Sequence, residues 1–263
     1  MAKPPAVKSS KPGTAVVSWA EKLANKAQEA ASEERMSSAS ALSFRSGQLN
    51  ISGQPVAGNA LSVIVVGSVF ENQYYDPAYD YEPDSPRSPI CFAFSKKEGD
   101  LAPHEDSAIP QHEQCGMSGK PGCCEWNEFG SAEKGRGKAC KNIRRLALIS
   151  AAPLTPEAVR DGEILQAKLP VTSGPGWAQY VNMLAATYQR PPWAVITEIG
   201  AVPDPKTQFK VTFTFKGLIS EDLLDVLEAR HETTYDLLAI PYQANSEEEK
   251  PVKKKPVAKA RKF

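Results

Sequence analysis

The stretch ALSVIVVGSVF, Ala60 to Phe70, is the strongest strand signal in the sequence, and the predicted fold is built outward from it. Most of its apolar residues are β-branched, and such side chains favour strands because they pack well on a pleated surface. The segment that follows, ENQYYDPAYDYEPDSPRSP, is rich in Tyr, Asp and Pro and is typical of a loop. The sequence therefore predicts a strand that ends near Phe70.

The remaining apolar patterns place further strands and two helices around this strand. In the segment Gln208–Phe215, four apolar residues alternate with Lys and Thr, which predicts a hairpin strand with one buried face. Several strands with one helix before a final hairpin are typical of a small barrel. The predicted fold is α+β, mainly β, with an OB-like, partly open barrel, a long zinc-binding insertion, a C-terminal helix and disordered tails. The predicted elements are a hairpin within residues 41–53, strands Ile90–Phe94, Ile143–Ser150 and Glu163–Val171, helix Gly174–Tyr188, hairpin strands Trp193–Val202 and Gln208–Phe215, and helix Ser220–Ile240.

Composition divides the chain into three predicted parts. Residues 1–41 form a flexible N-terminal arm with an amphipathic helix at 14–36, which docks on the domain's own core or binds a partner. Residues 42–243 form the OB-like domain, with a cysteine-rich insertion at 95–142. Residues 244–263 form a basic tail with seven bases in its last fourteen residues, and we expect it to be disordered.

The overall charge identifies no partner, because 31 basic and 31 acidic residues cancel in the 263-residue chain. No apolar run approaches the roughly 20 residues of a membrane helix, and the N-terminus lacks the apolar core of a secretory signal. The sequence therefore predicts a cytoplasmic protein without membrane contact.

All five cysteines lie within a span of 50 residues, in a compartment where disulfides are rare. Zn²⁺ prefers four tetrahedral thiolate or imidazole ligands, and a bound metal would stabilise a long loop that has little hydrophobic burial. No CxxC pair is present, so unligated thiols and iron–sulfur or redox chemistry remain alternatives. Neighbouring side chains diverge, so one cysteine of the adjacent pair is expected to be a ligand, and His104 or His112 can replace a cysteine. The candidate ligands of a structural Zn²⁺ are Cys91, Cys115, Cys123, Cys124 and Cys140.

A run of bases without acids follows two aromatic residues in the same insertion. Cations neutralise phosphates and aromatic rings stack on bases, which together favour binding of single-stranded DNA, with RNA as a second candidate. The alternative is a solvated basic loop that keeps the domain soluble. The candidate strand-binding residues are Trp126, Phe129, Lys134, Arg136, Lys138, Lys141, Arg144 and Arg145.

The sequence contains no set of nucleophile, base and acid typical of an enzyme. Glu125 and Glu128 lie beside the cysteines and keep a zinc hydrolase or nuclease as a weaker alternative, although no HxE or HExxH motif accompanies them. We therefore expect a non-catalytic protein.

Three segments carry a resemblance to a known family. NEFGSAEKGRGKACKNIRRLALI, preceded by ICFAFS and a cysteine-bearing loop, and the later PPWAVITEIGAVPDPKTQFKVTF resemble bacteriophage single-stranded DNA-binding proteins with a zinc-bound cysteine loop. The resemblance covers roughly residues 55 to 240. It implies an OB-fold, a role in phage DNA replication or recombination, and a location in the host cell cytoplasm.

The C-terminal tail departs from this family, whose members commonly end in an acidic tail that recruits partners. Here only Glu247, Glu248 and Glu249 are acidic, and the bases follow them. This departure favours an alternative function as a virion-associated or assembly interaction protein of a phage, whose partners would be virion or replication proteins.

Overall fold

The computed structural model describes residues 40–75, 88–108, 114–116, 119–133 and 135–242, together with Leu23 and Lys26. The chain divides into two units, Met1–Ser38 and Ala39–Phe263. Leu23 and Lys26 are helical, but the rest of the predicted N-terminal helix and the basic tail lie outside the described residues.

The described part of the second unit is mainly β, with three α-helices, which confirms the predicted α+β class. One of them, Gly174–Met183, continues into a π-helical turn, Leu184–Tyr188. The strands are β1 (Ala41–Arg45), β2 (Gln48–Ile51), β3 (Gln54–Pro55), β4 (Ala60–Tyr74), β5 (Cys91–Ser95), β6 (Lys141–Ser150), β7 (Leu165–Leu169), β8 (Val195–Asp204) and β9 (Gln208–Leu218), and the helices are α1 (Pro156–Asp161), α2 (Gly174–Met183) and α3 (Leu224–Leu238).

The nine strands of the described residues form one sheet that curls into a half barrel. The strand order is β3-β2-β1-β7-β6-β4-β8-β9, and β5 pairs with β4 outside this path. All strand pairs are antiparallel except β1 with β7. Strand β4 pairs with β8 through its first residues, with β6 along most of its length and with β5 at its end, so it joins the two halves of the sheet.

Both faces of β4 are buried, and each belongs to a different core. Val63 and Val65 point into the first core, which α2 closes with Trp177. Ile64 and Val66 point into the second core, which contains residues of α1 and α3. Alternation of side chains along a strand explains this division, and burial on both faces explains why the segment is almost uniformly apolar.

The structure extends β4 beyond the predicted end at Phe70. Glu71, Asn72 and Gln73 continue the ladder with β5 and β6 and are at most 5% exposed. Polar residues are buried here because their side chains are hydrogen-bonded: Glu71 and Asn72 pair with Arg145 and Asn142 of β6, and Gln73 donates to Glu71 of the same strand. The prediction failed because this polar run has the composition of a loop.

Helix α1 was not predicted. Thr155 caps it by accepting a hydrogen bond from the Ala158 amide at 3.1 Å, and Pro156 occupies its first turn. None of the helices among the described residues is both long enough and apolar enough to cross a membrane.

Helix α3 packs so closely on β4 that a glycine is needed at position 67. A Cβ atom added to Gly67 would lie 2.7 Å from Thr234 Cγ2 and 3.3 Å from Leu238 Cδ1. We expect Gly67→Ala to lower the free energy of unfolding by about 1–3 kcal/mol, because the helix has to move away from the strand. Chemical denaturation would measure the change.

Gly217→Ala is the matched control, since Gly217 lies in β9 and a Cβ atom there would have nothing within 4 Å. Its effect should stay within about 0.5 kcal/mol. Equal losses in the two variants would contradict the close packing of α3 on β4.

Candidate metal centre and nucleic-acid interface

Four of the five cysteines line one cavity. They reach it from separate parts of the chain, because Cys91 begins β5 and the other three lie in the long segment between β5 and β6. Tyr74 and Trp126 also line this cavity. The four cysteines are Cys91, Cys115, Cys124 and Cys140.

Backbone hydrogen bonds hold the three loop cysteines in place. The Cys115 amide donates to the Leu101 carbonyl at 2.9 Å, and the Cys124 amide donates to the Cys115 carbonyl at 3.1 Å. The Cys140 amide donates to the Trp126 carbonyl at 2.8 Å. The cavity walls are therefore fixed by main-chain contacts, although the segment contains no strand among its described residues.

Cys123 is the cysteine that does not line the cavity. Its Sγ donates to the Cys124 carbonyl at 3.5 Å. Burial, reinforced by the neighbouring Glu128, raises the pKa of the Cys123 thiol to about 11. Sequence alone left the choice within the adjacent pair open, and the structure places Cys124 on the cavity.

The cavity thiols are poorly ionised without a cation. Burial raises the pKa of Cys115 to about 12, and it also raises the pKa values of Cys91 and Cys140. A bound metal ion would reverse this effect, since thiolate ligands bind in the deprotonated form. Among the described residues, no three His, Cys, Asp or Glu side chains are already arranged to hold a metal ion, so binding would require the thiols to close around it.

Of the two histidines proposed as substitute ligands, His104 is the one that the structure describes, and it does not line the cavity. The His104 ring stacks on Phe92 with a centroid distance of 5.0 Å, and its Nδ1 accepts a hydrogen bond from the Asp106 amide at 3.2 Å. His104 is absent from the residues that line the cavity. His112 lies outside the described residues.

The two predicted stacking aromatics differ in accessibility. The Trp126 ring stacks on Tyr74, with centroids 3.7 Å apart and an angle of 11° between the planes, so one of its faces is covered. Phe129 is 75% exposed. It lies in the segment Glu125 to Lys141, which we call the basic lobe. Phe129 is the one aromatic residue among the large hydrophobic side chains left exposed in the described part of the chain.

The predicted bases occupy several different environments. Arg136 and Lys141 are exposed, and Lys138 is half-buried with its Nζ 5.0 Å from the centre of the Phe129 ring. Arg144 lies over the Phe70 ring at 3.1 Å, and burial lowers its pKa to about 10, which leaves it charged at neutral pH. Lys134 lies outside the described residues.

Arg145 does not fit the predicted role in strand binding. Alternation along β6 turns its side chain to the face opposite Arg144, where it is 5% exposed. It forms a two-point ion pair with Glu71, at 2.5 and 2.9 Å, and donates to the Leu238 carbonyl at 2.8 Å. A buried and fully engaged guanidinium cannot reach a phosphate, so we remove Arg145 from the candidate interface.

The ion pair forms the centre of a polar cluster that sequence analysis missed. The Tyr242 hydroxyl donates to Glu71 and accepts hydrogen bonds from Arg145 and Lys168. Burial alone would raise the pKa of the fully buried Glu71, but Arg145, Lys168 and Tyr242 together outweigh it and lower the pKa. The sequence signal for this ion pair was an acidic residue, Glu71, at the end of one strand and bases at the start of another, since the structure pairs these two strand ends.

The described residues thus define a mainly β protein with a cysteine-lined cavity beside a basic lobe. Comparisons of the chain with protein-family models, characterised proteins and solved structures found no match. Its function therefore has to be inferred from its own residues.

The buried ion pair predicts a large and specific loss of stability. Glu71→Gln should lower the free energy of unfolding by about 3 kcal/mol or more, because it leaves the Arg145 charge buried without a counterion. Glu198→Gln is the control, since Glu198 and Lys216 form a partly exposed pair at 2.9 Å that contributes less than about 1 kcal/mol. Urea denaturation would measure both variants.

The Glu71–Arg145 ion pair also predicts the direction in which stability changes with pH. The pKa of Glu71 is lower in the folded protein than in the unfolded chain. The ion pair therefore contributes fully to the free energy of unfolding above the unfolded-state pKa, and this contribution is lost as pH falls through the folded-state pKa. The stability gap between wild type and Glu71→Gln should therefore narrow in acid. A gap that stays constant or widens as pH falls would show that the carboxylate charge is not responsible.

Proposed function

We propose that this chain is a non-catalytic single-stranded DNA-binding protein with a structural zinc, in which a basic lobe presents Phe129 and two cations to the strand. The observation that carries the proposal is the 75% exposure of the Phe129 ring on a segment attached to a four-cysteine cavity. Burial normally stabilises such a ring, so its exposure in a cationic segment supports a role in stacking on bases.

The lobe offers two chemically distinct contacts to a strand. Arg136 and Lys141 are exposed and suit phosphate oxygens, whereas the Phe129 ring suits the face of any base. Neither contact distinguishes one base from another, so the proposed binding has little sequence preference. The curled sheet and the multiple pairing of β4 support assignment of the domain to an OB-like, partly open barrel.

The donor set of the cavity supports zinc as the resident metal. Four thiols fit the tetrahedral preference of Zn²⁺ for sulfur ligands, and we propose Cys91, Cys115, Cys124 and Cys140 as those ligands. Four protein ligands would leave no open position for water, which is typical of a structural site. When bound, the metal would supply a crosslink between β5 and the basic lobe.

Metal analysis tests the ligand set. We expect the purified chain to contain one zinc ion and to lose it when Cys124 is replaced by Ser, since the closed tetrahedral site needs every ligand. Cys123→Ser is the matched control, because the neighbouring thiol lies outside the cavity and its loss should leave the zinc content unchanged. Equal loss of zinc in both variants would contradict the assignment.

Fluorescence anisotropy with a labelled oligonucleotide tests the interface. Arg136→Ala and Lys141→Ala should each reduce the slope of log K against log salt by about 0.7, because each lost cation neutralises one phosphate fewer. Phe129→Ala should weaken binding by about 1–3 kcal/mol without changing that slope. Lys206→Ala removes an exposed base from the β8–β9 turn and serves as the control, with no expected change.

Comparison of single-stranded DNA with duplex DNA and RNA tests whether single-stranded DNA is the ligand. Absence of binding at low salt, or equal affinity for duplex DNA, would overturn single-strand binding and favour a virion or assembly role. Tighter binding to an RNA oligonucleotide of the same sequence would identify RNA, and not DNA, as the ligand.

A further inference from the structure

Asn72 has an unsatisfied amide at the wall of the cysteine cavity. The residue is 3% exposed and lines the cavity, and its Oδ1 accepts a hydrogen bond from Asn142 Nδ2 at 2.6 Å. Its Nδ2 has no hydrogen-bond partner within the part of the chain that the structure describes. A buried donor without an acceptor costs about 1–3 kcal/mol, so this position calls for an acceptor that the metal-free thiols do not provide.

The sulfur of Cys115 is a candidate acceptor, because Cys115 and Asn72 line the same cavity. The two groups do not form a hydrogen bond in this geometry, since Asn72 Nδ2 remains unpaired. A thiolate is a stronger acceptor than a thiol, so ionisation of Cys115 on metal binding would complete the contact.

Lys138 holds the amides that surround this contact. Its Nζ donates to Asn142 Oδ1 at 2.6 Å and to Asn127 Oδ1 at 3.1 Å. Asn142 in turn donates from its Nδ2 to Asn72 Oδ1, which orients the Asn72 amide. Lys138 therefore determines the orientation of Asn72 through one intervening side chain.

The second branch from Lys138 reaches the backbone of a proposed ligand. Asn127 is 3% exposed, and its Nδ2 donates to the Gly116 carbonyl at 3.0 Å and to the Cys115 carbonyl at 3.4 Å. One branch therefore reaches the main chain of Cys115, and the other reaches Asn72, which lines the cavity beside Cys115.

We propose that Asn72 donates a hydrogen bond to the metal-bound thiolate of Cys115, and that Lys138 is a positioning residue that orients Asn72 and Asn127 and offsets the negative charge of the site. The inference rests on the proposed zinc site. Zinc with four thiolates is doubly negative, and a lysine next to such a group lowers its electrostatic cost. In this proposal Lys138 supports the metal site, whereas the sequence analysis assigned it to strand binding.

Zinc affinity, measured by competition with a chromophoric chelator, tests the proposal. Asn72→Asp keeps the oxygen that accepts from Asn142 but replaces the donor with a second acceptor, so we expect zinc affinity to fall by about 10–100-fold. Lys138→Met should cause a loss in the same range. Arg136→Met removes an exposed cation from the same lobe and should leave zinc affinity unchanged while weakening oligonucleotide binding.

Cobalt substitution supplies a readout that a purely structural defect would not change. Loss of an N–H···S hydrogen bond raises the energy of the sulfur lone pairs, so the thiolate-to-cobalt absorption of Asn72→Asp should shift to longer wavelength. Asn72→Ala also lacks the donor, carries no added charge and should show the same shift, so it replaces Asn72→Asp if that variant does not fold.

The outcomes separate the two proposals. If wild type binds zinc and the Asn72 variants match its affinity and cobalt spectrum, the role of Asn72 is wrong and the zinc site stands. If Arg136→Met loses zinc as strongly as Lys138→Met, the effect is general electrostatics and the role of Lys138 is wrong. If wild type binds neither zinc nor cobalt, the metal site itself is wrong, and the roles of both residues fail with it.

Discussion

Strand β4 is buried on both faces and hydrogen-bonded on both edges, and the rest of the structure depends on this arrangement. Strand β6 occupies one edge, while β8 and β5 share the other. The apolar first half of β4 divides its side chains between two cores, so each helix layer packs on the same strand. A strand in this position cannot shift its register by one residue without exchanging the two cores.

A β-bulge between Val65 and Gly67 shifts the alternation by one residue, and beyond it the polar end of β4 creates two different sites. Glu71 points to one face, where Arg145 neutralises it, and Asn72 points to the other, where the cysteines lie. Hydrophobic packing near the cysteines is slight, because the local core consists of Ala93, Leu101 and Cys115 with Phe70 packed against it. A metal crosslink would therefore add stability where burial contributes little, which is the physical basis for assigning zinc to this cavity.

Local patterns predicted most strands and helices, because alternation and apolar periodicity depend on near neighbours. The alternating Phe209 and Val211 of β9 are an example, since every second residue faces the first core. Near neighbours could not predict the end of β4, because the buried Glu71 carboxylate depends on distant partners such as Arg145, 74 residues away. The choice of Cys124 over Cys123 likewise depends on the turn that begins at Glu125, which the sequence does not reveal. Helix α1 was predictable, as Thr155 and Pro156 are ordinary start signals.

The run of bases illustrates why charge counted along a sequence overstates the charge available to a ligand. Arg145 forms an ion pair with a buried carboxylate, and Lys138 donates hydrogen bonds to two amide oxygens. Arg144 lies against an aromatic ring. Arg145 and Lys138 would have to give up these partners to bind a phosphate, whereas Arg136 and Lys141 are exposed, with Lys141 Nζ 5.5 Å from the centre of the Tyr75 ring. The electrostatic part of strand binding should then be modest for the lobe alone, and the exposed Phe129 ring becomes the more important contact. A protein of this design would hold its strand by stacking and use its few exposed cations to orient the backbone.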